Sequence, residues 1–144
     1  MNTKSQVWSR RCFLGTLLLL LVHAAILFVL LPGKAIAHFN AAGQPDGVMP
    51  KGVFVTCYIL LAGLLSLVFL PAVKASPKRS GGDFMPTFFL WLGTGVFLFL
   101  IDMFHQAFRV NAGKVETFEH PWIHIGVFVA CEIVLAGVLV VKSK

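Results

Sequence analysis

Residues 13–32 read FLGTLLLLLVHAAILFVLLP, a stretch in which His23 is the only ionisable side chain. A helix of about 20 mostly apolar residues is long enough to cross the hydrocarbon core of a bilayer. A helix on the surface of a soluble domain has a polar face instead, because that face meets water. The stretch therefore predicts a membrane-spanning helix.

Three further apolar runs have the same character. They cover residues 53–73, 87–108 and 122–141, and each is long enough to span a bilayer. The chain of 144 residues is 58% hydrophobic and only 12% charged, whereas soluble domains are about 25% charged. The predicted fold is an all-α, integral membrane four-helix bundle that forms a single membrane domain over residues 1–144.

The distribution of Lys and Arg around the spans predicts their orientation. Eight of the 12 Lys and Arg residues lie before the first span, between the second and third, or after the fourth. Because segments rich in Lys and Arg stay on the cytoplasmic side, both termini are predicted to be cytoplasmic. The connector at Ala75–Asp83 is then internal. The net charge of +6 reflects this pattern, and the chain lacks the basic, aromatic-interleaved face that nucleic acid requires.

The N-terminal region has a competing interpretation. Ser9-Arg10-Arg11-Cys12-Phe13-Leu14-Gly15 is similar to a twin-arginine export signal, and Ala35-Ile36-Ala37 is similar to a small-residue cleavage site. The apolar run is longer than the apolar core of a signal peptide, which has 7–15 residues. The paired arginines are therefore interpreted as an anchor that holds the first helix on the cytoplasmic side.

The first external loop carries the most distinctive pattern in the chain. It contains His38-Phe39-Asn40, then Gly43, then Pro45-Asp46-Gly47, and Lys51 before the second span. Proline presets its backbone angle and glycine accepts unusual ones, so Pro45-Asp46-Gly47 predicts a β-turn. Asn40 and Gly43 predict a second tight turn. A compact, turn-rich loop is expected.

This pattern resembles the N-terminal domain of SdpI-type membrane proteins, which is a domain of unknown function. The resemblance rests on a proline, His-Phe-Asn, Gly-x-Pro-Asp-Gly and a lysine between two membrane helices, and it covers about Leu30 to Lys51. It implies a bacterial cytoplasmic-membrane protein. The family includes proteins that give immunity to a secreted toxin and signal to a regulator. Its members carry a further helical region that the last two helices of this chain do not match.

The polar residues of the loop allow two interpretations. The imidazole of His38 could bind a metal ion, respond to pH or contact a peptide. Alternatively, His38, Asn40 and Asp46 could hold the loop together through hydrogen bonds within it. The candidate recognition loop comprises His38, Phe39, Asn40, Gly43, Pro45, Asp46 and Lys51.

Two ionisable residues are predicted to lie near the middle of the membrane. His23 and Glu132 are each about ten residues into their span, which corresponds to a depth of roughly 15 Å. Ionisable residues at such a depth are costly and usually face the bundle interior. The two side chains are expected either to pair across the first and fourth helices or to be hydrogen-bonded separately.

A second polar layer is expected nearer the outside. Asp102, His105 and Arg109 are spaced to share one face of the third helix. Because a short loop joins the third and fourth helices, Asp102, His105 and His124 are expected to converge below the external surface.

This layer has several possible roles. It could be a hydrogen-bonded plug that fixes helix register, or a pocket that recognises a peptide or lipid. It could also be a proton or metal site with His105, His124 and Asp102 as candidate ligands. His105 and His124 could in principle ligate a haem, although the expectation is that no cofactor is bound.

The sequence favours a protein that is not an enzyme. It contains no G-x-S-x-G, no H-E-x-x-H and no phosphate-binding loop. The leading hypothesis is a non-enzymatic protein that senses or binds a ligand or peptide at its external face. The alternative is a proton- or metal-coupled transporter that uses His23, Asp102, His105, His124 and Glu132. Expected partners are the lipid bilayer, a peptide or another membrane protein, and small residues on the helices allow a homodimer.

Overall fold

The computed structural model describes residues 3–74, 84–118 and 120–143. Within these residues four helices and two strands follow one another along the chain. They are α1 (Thr3–Leu30), β1 (Lys34–Phe39), β2 (Pro45–Pro50), α2 (Lys51–Lys74), α3 (Phe84–Asn111) and α4 (Pro121–Ser143). The connector expected at 75–83 lies outside the described residues.

Three of the helices are long and apolar enough to cross a membrane. These candidate spans are Ser5–Leu30, Lys51–Lys74 and Met85–Asn111, and α4 contains a shorter apolar segment, Trp122–Val138. Large apolar side chains are exposed along all four helices, and an exposed apolar surface of this extent suits lipid. The helical fold is thus confirmed, and three of the predicted spans coincide with helices that are long and apolar enough to cross a membrane. The crossing by α4 and the cytoplasmic position of both termini stay predictions.

Helix α3 is the centre of the bundle. It contacts α1, α2 and α4, and α1 also contacts α2, whereas α4 touches neither α1 nor α2 in the part of the chain that is described. At one end of the core, the ring of Phe13 lies 5.3 Å from that of Phe97 and 5.9 Å from that of Phe69. Gly93 makes room for this cluster, because a Cβ there would lie 2.7 Å from Phe13 Cε2.

The first interhelical loop forms an antiparallel β-hairpin, which the sequence analysis did not anticipate. Its strands pair from Lys34 opposite Pro50 to Phe39 opposite Pro45. The chain reverses between them: the Asn40 N–H donates to Gln44 O at 2.9 Å, and the Gly43 N–H donates to Asn40 O at 2.9 Å. The turn predicted from Asn40 and Gly43 is therefore confirmed.

The β-turn predicted at Pro45-Asp46-Gly47 is wrong, because these residues begin β2. The chain has already reversed before Pro45: Asn40 Oδ1 accepts hydrogen bonds from the N–H of Ala42 at 2.9 Å and of Gln44 at 3.0 Å. An asparagine side chain that bonds its own backbone in this way forms a turn by itself. Pro45, which has no N–H, is tolerated as the first residue of an edge strand.

Candidate functional site

Asn111, the last residue of α3, attaches the hairpin to the helices. Its Oδ1 accepts a hydrogen bond from the Ile36 N–H at 2.6 Å, and its Nδ2 donates to Ile36 O at 2.9 Å. Nδ2 also donates to Ala107 O at 2.8 Å, within α3. The carboxamide therefore bonds β1 much as a neighbouring strand would. Sequence reasoning missed Asn111, because an asparagine at a helix end is also typical of an ordinary helix terminus.

The turn of the hairpin is attached to the loop between α3 and α4. The Phe118 N–H donates to Gly43 O at 2.7 Å, and the rings of Phe39 and Phe118 meet edge to face with centroids 5.2 Å apart. Gly43 has a φ of +76°, and a Cβ at this position would collide with the carbonyl oxygen of Phe118. Glycine is required here for both its backbone conformation and its lack of a side chain.

The polar residues of the recognition loop are largely used within the hairpin. His38 Nδ1 is in hydrogen-bond contact with the Asp46 carboxylate, and the Asn40 side chain closes the turn. Lys51 closes the opposite end, where its Nζ lies 3.4 Å from Leu31 O. The hydrogen bonds of His38, Asn40 and Asp46 are those expected if these three residues hold the loop together. The His38 side chain is nevertheless 75% exposed, so its other ring nitrogen can meet a ligand.

A cleft of about 380 Å³ lies between the hairpin and the beginning of α4. Its volume is in the range of pockets that hold small ligands. Trp122, which is 67% exposed, forms one side, and the His38-Phe39-Asn40 motif forms the other. The lining residues are Ala37, His38, Phe39, Asn40, Ala41, Met103, Phe118, Trp122 and Ile125. We call this space the outer cleft.

A first polar cluster lies between α3, α1 and α2. His23 Nδ1 and the Tyr58 hydroxyl are 3.2 Å apart, within hydrogen-bond distance, and the rings of His23 and His105 have centroids 5.8 Å apart. Tyr58 is fully buried and stacks on Phe104 at 3.9 Å. Tyr58 was not among the sequence candidates. As the single tyrosine in the chain, placed within an apolar span, it could have been identified by its hydroxyl, which needs a partner when buried.

A second polar pair lies on the side of α3 that faces α4. His124 Nδ1 and Asp102 Oδ2 lie 2.5 Å apart, within hydrogen-bond distance. Arg109 is engaged within α3, since its NH1 donates to Gln106 Oε1 at 3.0 Å. The expected convergence is thus found for Asp102 and His124 but not for His105, which faces α1 instead. Residues three apart on a helix differ by roughly 60° in direction, and a central helix presents them to different neighbours.

These positions bear directly on the metal and haem hypotheses. Among the described residues, no group of three or more His, Cys, Asp or Glu side chains is arranged to hold a metal ion. The proposed ligand set is divided, because Asp102 and His124 are paired while His105 lies beside His23. His105 lies beside His23 of α1, whereas His124 is paired with Asp102 of α3, and the haem hypothesis stays a prediction.

Glu132 packs against α3 at Gly95. A Cβ at Gly95 would collide with Glu132 Oε1, while Glu132 Oε2 is buried and has no hydrogen-bond partner among the described residues. The predicted pairing of His23 with Glu132 is wrong, because α3 lies between the two helices that carry them. His23 is hydrogen-bonded separately, to Tyr58.

Comparison with known proteins identifies one uncharacterised domain. Residues 15–62 match the family model described as Domain of unknown function (DUF1648). The match begins within α1, includes the whole hairpin and ends within α2. It supports the presence of a domain of unknown function that includes the His38-Phe39-Asn40 loop, and SdpI-type membership stays a prediction. No curated protein and no solved structure matches the chain significantly.

Proposed function

We propose that this chain is a non-enzymatic, multi-pass membrane protein that binds a peptide in the outer cleft. The observation that carries the proposal is the cleft itself. The His38-Phe39-Asn40 motif and Trp122 both line it, and its volume is about 380 Å³. Phe39, Phe118 and Trp122 supply aromatic surface, which gives a large contact area with few rotatable bonds to immobilise. His38 and Asn40 add polar groups at the rim, as a mixed peptide surface requires.

The way the hairpin is fixed supports this proposal. Asn111 holds β1 against α3, and Phe118 holds the turn through Gly43. A binding surface that is ordered before the ligand arrives does not lose that conformational freedom on binding. The outer cleft is therefore suited to recognition in a way that a mobile loop is not.

The proposal includes a location for the protein. We infer that the chain lies in a bacterial cytoplasmic membrane with both termini in the cytoplasm. The Lys and Arg distribution supports this orientation, and the resemblance to SdpI-type proteins supports the bacterial membrane and an immunity-like or signalling-like role. In this orientation the hairpin and Trp122 lie at the outer interface, where tryptophan is favoured.

Binding is favoured over transport by the positions of the polar groups within the bundle. A transporter exposes its central polar groups to the two sides of the membrane in turn. Here His23 and His105 lie on one side of α3, while Asp102 and His124 lie on another. This division of the polar groups between two sides of α3 supports binding rather than transport.

Photo-crosslinking in intact cells tests the proposal. A benzophenone analogue of phenylalanine is placed at Phe39 or Trp122 in the cleft, and at Val134 as the control. Val134 is 66% exposed on α4 and does not line the cleft. We expect a discrete peptide adduct from the two cleft positions and only lipid adducts from Val134. Equal adducts at all three positions, or none at the cleft, would contradict the proposal.

A further inference from the structure

A second groove, of about 390 Å³, lies between α3 and α4. Leu98 and Val127 line it and are 49% and 58% exposed, so its walls continue into the apolar outer surface of the helices. In a bilayer such a surface is covered by lipid, and the groove is then reached from the side. Glu132 and Asp102 also line it. An apolar space that contains carboxyl groups is suited to a ligand that combines apolar and charged parts.

The carboxyl groups of Asp102 and Glu132 indicate that the ligand is positively charged. Asp102 already has a partner in His124. Glu132 Oε2 is buried, and the described part of the chain offers it no hydrogen-bond partner. An ionised carboxylate in apolar surroundings is costly unless a cation compensates it. A positively charged ligand would stabilise the ionised form of Glu132 and is therefore complementary to it.

Two aromatic rings in the groove indicate which kind of cation it can bind. Phe99 and Phe128 line the same groove and stack with centroids 4.8 Å apart at 27°. Aromatic faces attract cations within about 6 Å, and desolvated quaternary ammonium groups are recognised in this way. A small, strongly hydrated ion would lose its water here and find few oxygen or nitrogen ligands in return. A cation that carries apolar substituents loses much less.

We propose that the groove between α3 and α4 binds lipophilic organic cations, such as quaternary ammonium or phosphonium ions. Glu132 is the counter-ion, Phe99 and Phe128 contact the cation, and Leu98 and Val127 contact its substituents. The ligand enters from the bilayer, where such amphiphilic cations concentrate. The groove differs from the outer cleft, so this inference is independent of the peptide-binding proposal.

Equilibrium dialysis of radiolabelled tetraphenylphosphonium against the detergent-purified full-length chain tests the inference. We expect one saturable site, and an affinity reduced about tenfold or more in Glu132→Gln, since each factor of ten is about 1.4 kcal/mol. Gly95→Ala keeps the carboxyl group but its Cβ displaces it, so binding should also weaken. The matched control is Glu116→Gln, which removes a carboxylate from the exposed loop between α3 and α4 and should leave the affinity unchanged.

The aromatic contribution is tested separately. Phe128→Leu should weaken tetraphenylphosphonium binding a few-fold, about the value of one cation–π contact. Circular dichroism melting curves establish that each variant is folded. The inference is overturned if wild-type protein shows no saturable binding, if Glu132→Gln binds like wild type, or if Glu116→Gln loses as much affinity as Glu132→Gln.

Discussion

Asn111 binds both backbone groups of Ile36, although the two residues are 75 positions apart in the chain. A single side chain at the end of α3 thus sets the position of the hairpin relative to the helices. The contact also joins the matched family region, which ends at residue 62, to the second half of the chain. The two halves of the protein are therefore structurally dependent on each other at the hairpin.

Asn111→Leu should lower the free energy of unfolding by about 3 kcal/mol, because three hydrogen bonds worth about 1 kcal/mol each are lost, two to Ile36 and one to Ala107 O. Thermal and denaturant unfolding in detergent measure the effect. The control is Gln44→Ala, since the Gln44 side chain makes an exposed hydrogen bond to Asn40 at the turn. If Asn111→Leu is as stable as Gln44→Ala, the contact to Ile36 does not hold the hairpin.

Gly43→Ala should destabilise the protein more than Gly113→Ala. Both glycines have positive φ, +76° and +66°, so both substitutions carry a backbone cost of about 1–2 kcal/mol. Only at Gly43 would the new Cβ collide, with the carbonyl oxygen of Phe118; at Gly113 nothing lies within 4 Å. The difference between the two variants in unfolding free energy measures the collision alone. Equal losses would show that the hairpin is not docked on the Phe118 loop.

Asp102 and His124 should be energetically coupled. A double-mutant cycle with Asp102→Asn and His124→Gln should give an interaction energy of about 1–2 kcal/mol, as is typical of charge-assisted hydrogen bonds. The comparison cycle uses Asp102→Asn with His105→Gln, because His105 faces α1 instead. That cycle should be additive within about 0.5 kcal/mol. Coupling of Asp102 to His105 rather than to His124 would contradict the arrangement of α3 and α4.

Cysteine labelling tests the predicted orientation. In a variant without Cys12, Cys57 and Cys131, Gln44→Cys places a thiol in the exposed turn of the hairpin. A membrane-impermeant maleimide should label it in intact cells, whereas Ser5→Cys near the N-terminus should react only after permeabilisation. The reverse pattern would place the hairpin in the cytoplasm and would exclude an outer cleft.

The helices were predictable because a long apolar run suits a bilayer whatever its neighbours are. The packing around α3 was not predictable, because the long apolar stretches of α1 and α2 have no polar face that would distinguish the packed side from the lipid side. For the same reason, the separation of His105 from Asp102 could not be seen from spacing on a single helix. It depends on which neighbour each face of α3 meets.

The position of the turn in the hairpin could not be predicted for a different reason. Two turn signals were present, at Asn40 with Gly43 and at Pro45-Asp46-Gly47, and only one reversal fits between the two helices. The side-chain hydrogen bonds of Asn40 decide between them, and they form together with the strand pairing. The contact of Asn111 with Ile36 could not be predicted either, because the two residues are distant in the sequence.

The peripheral position of α4 has a consequence for local stability. Since α4 touches α3 alone among the described elements, it can separate from the bundle without breaking the contacts that α1, α2 and α3 share. The attachment of the hairpin to Asn111 survives such an opening, while the pairing of Asp102 with His124 and the seating of Glu132 at Gly95 are lost. Backbone amides of α4 are thus expected to exchange their hydrogens faster than those of α3.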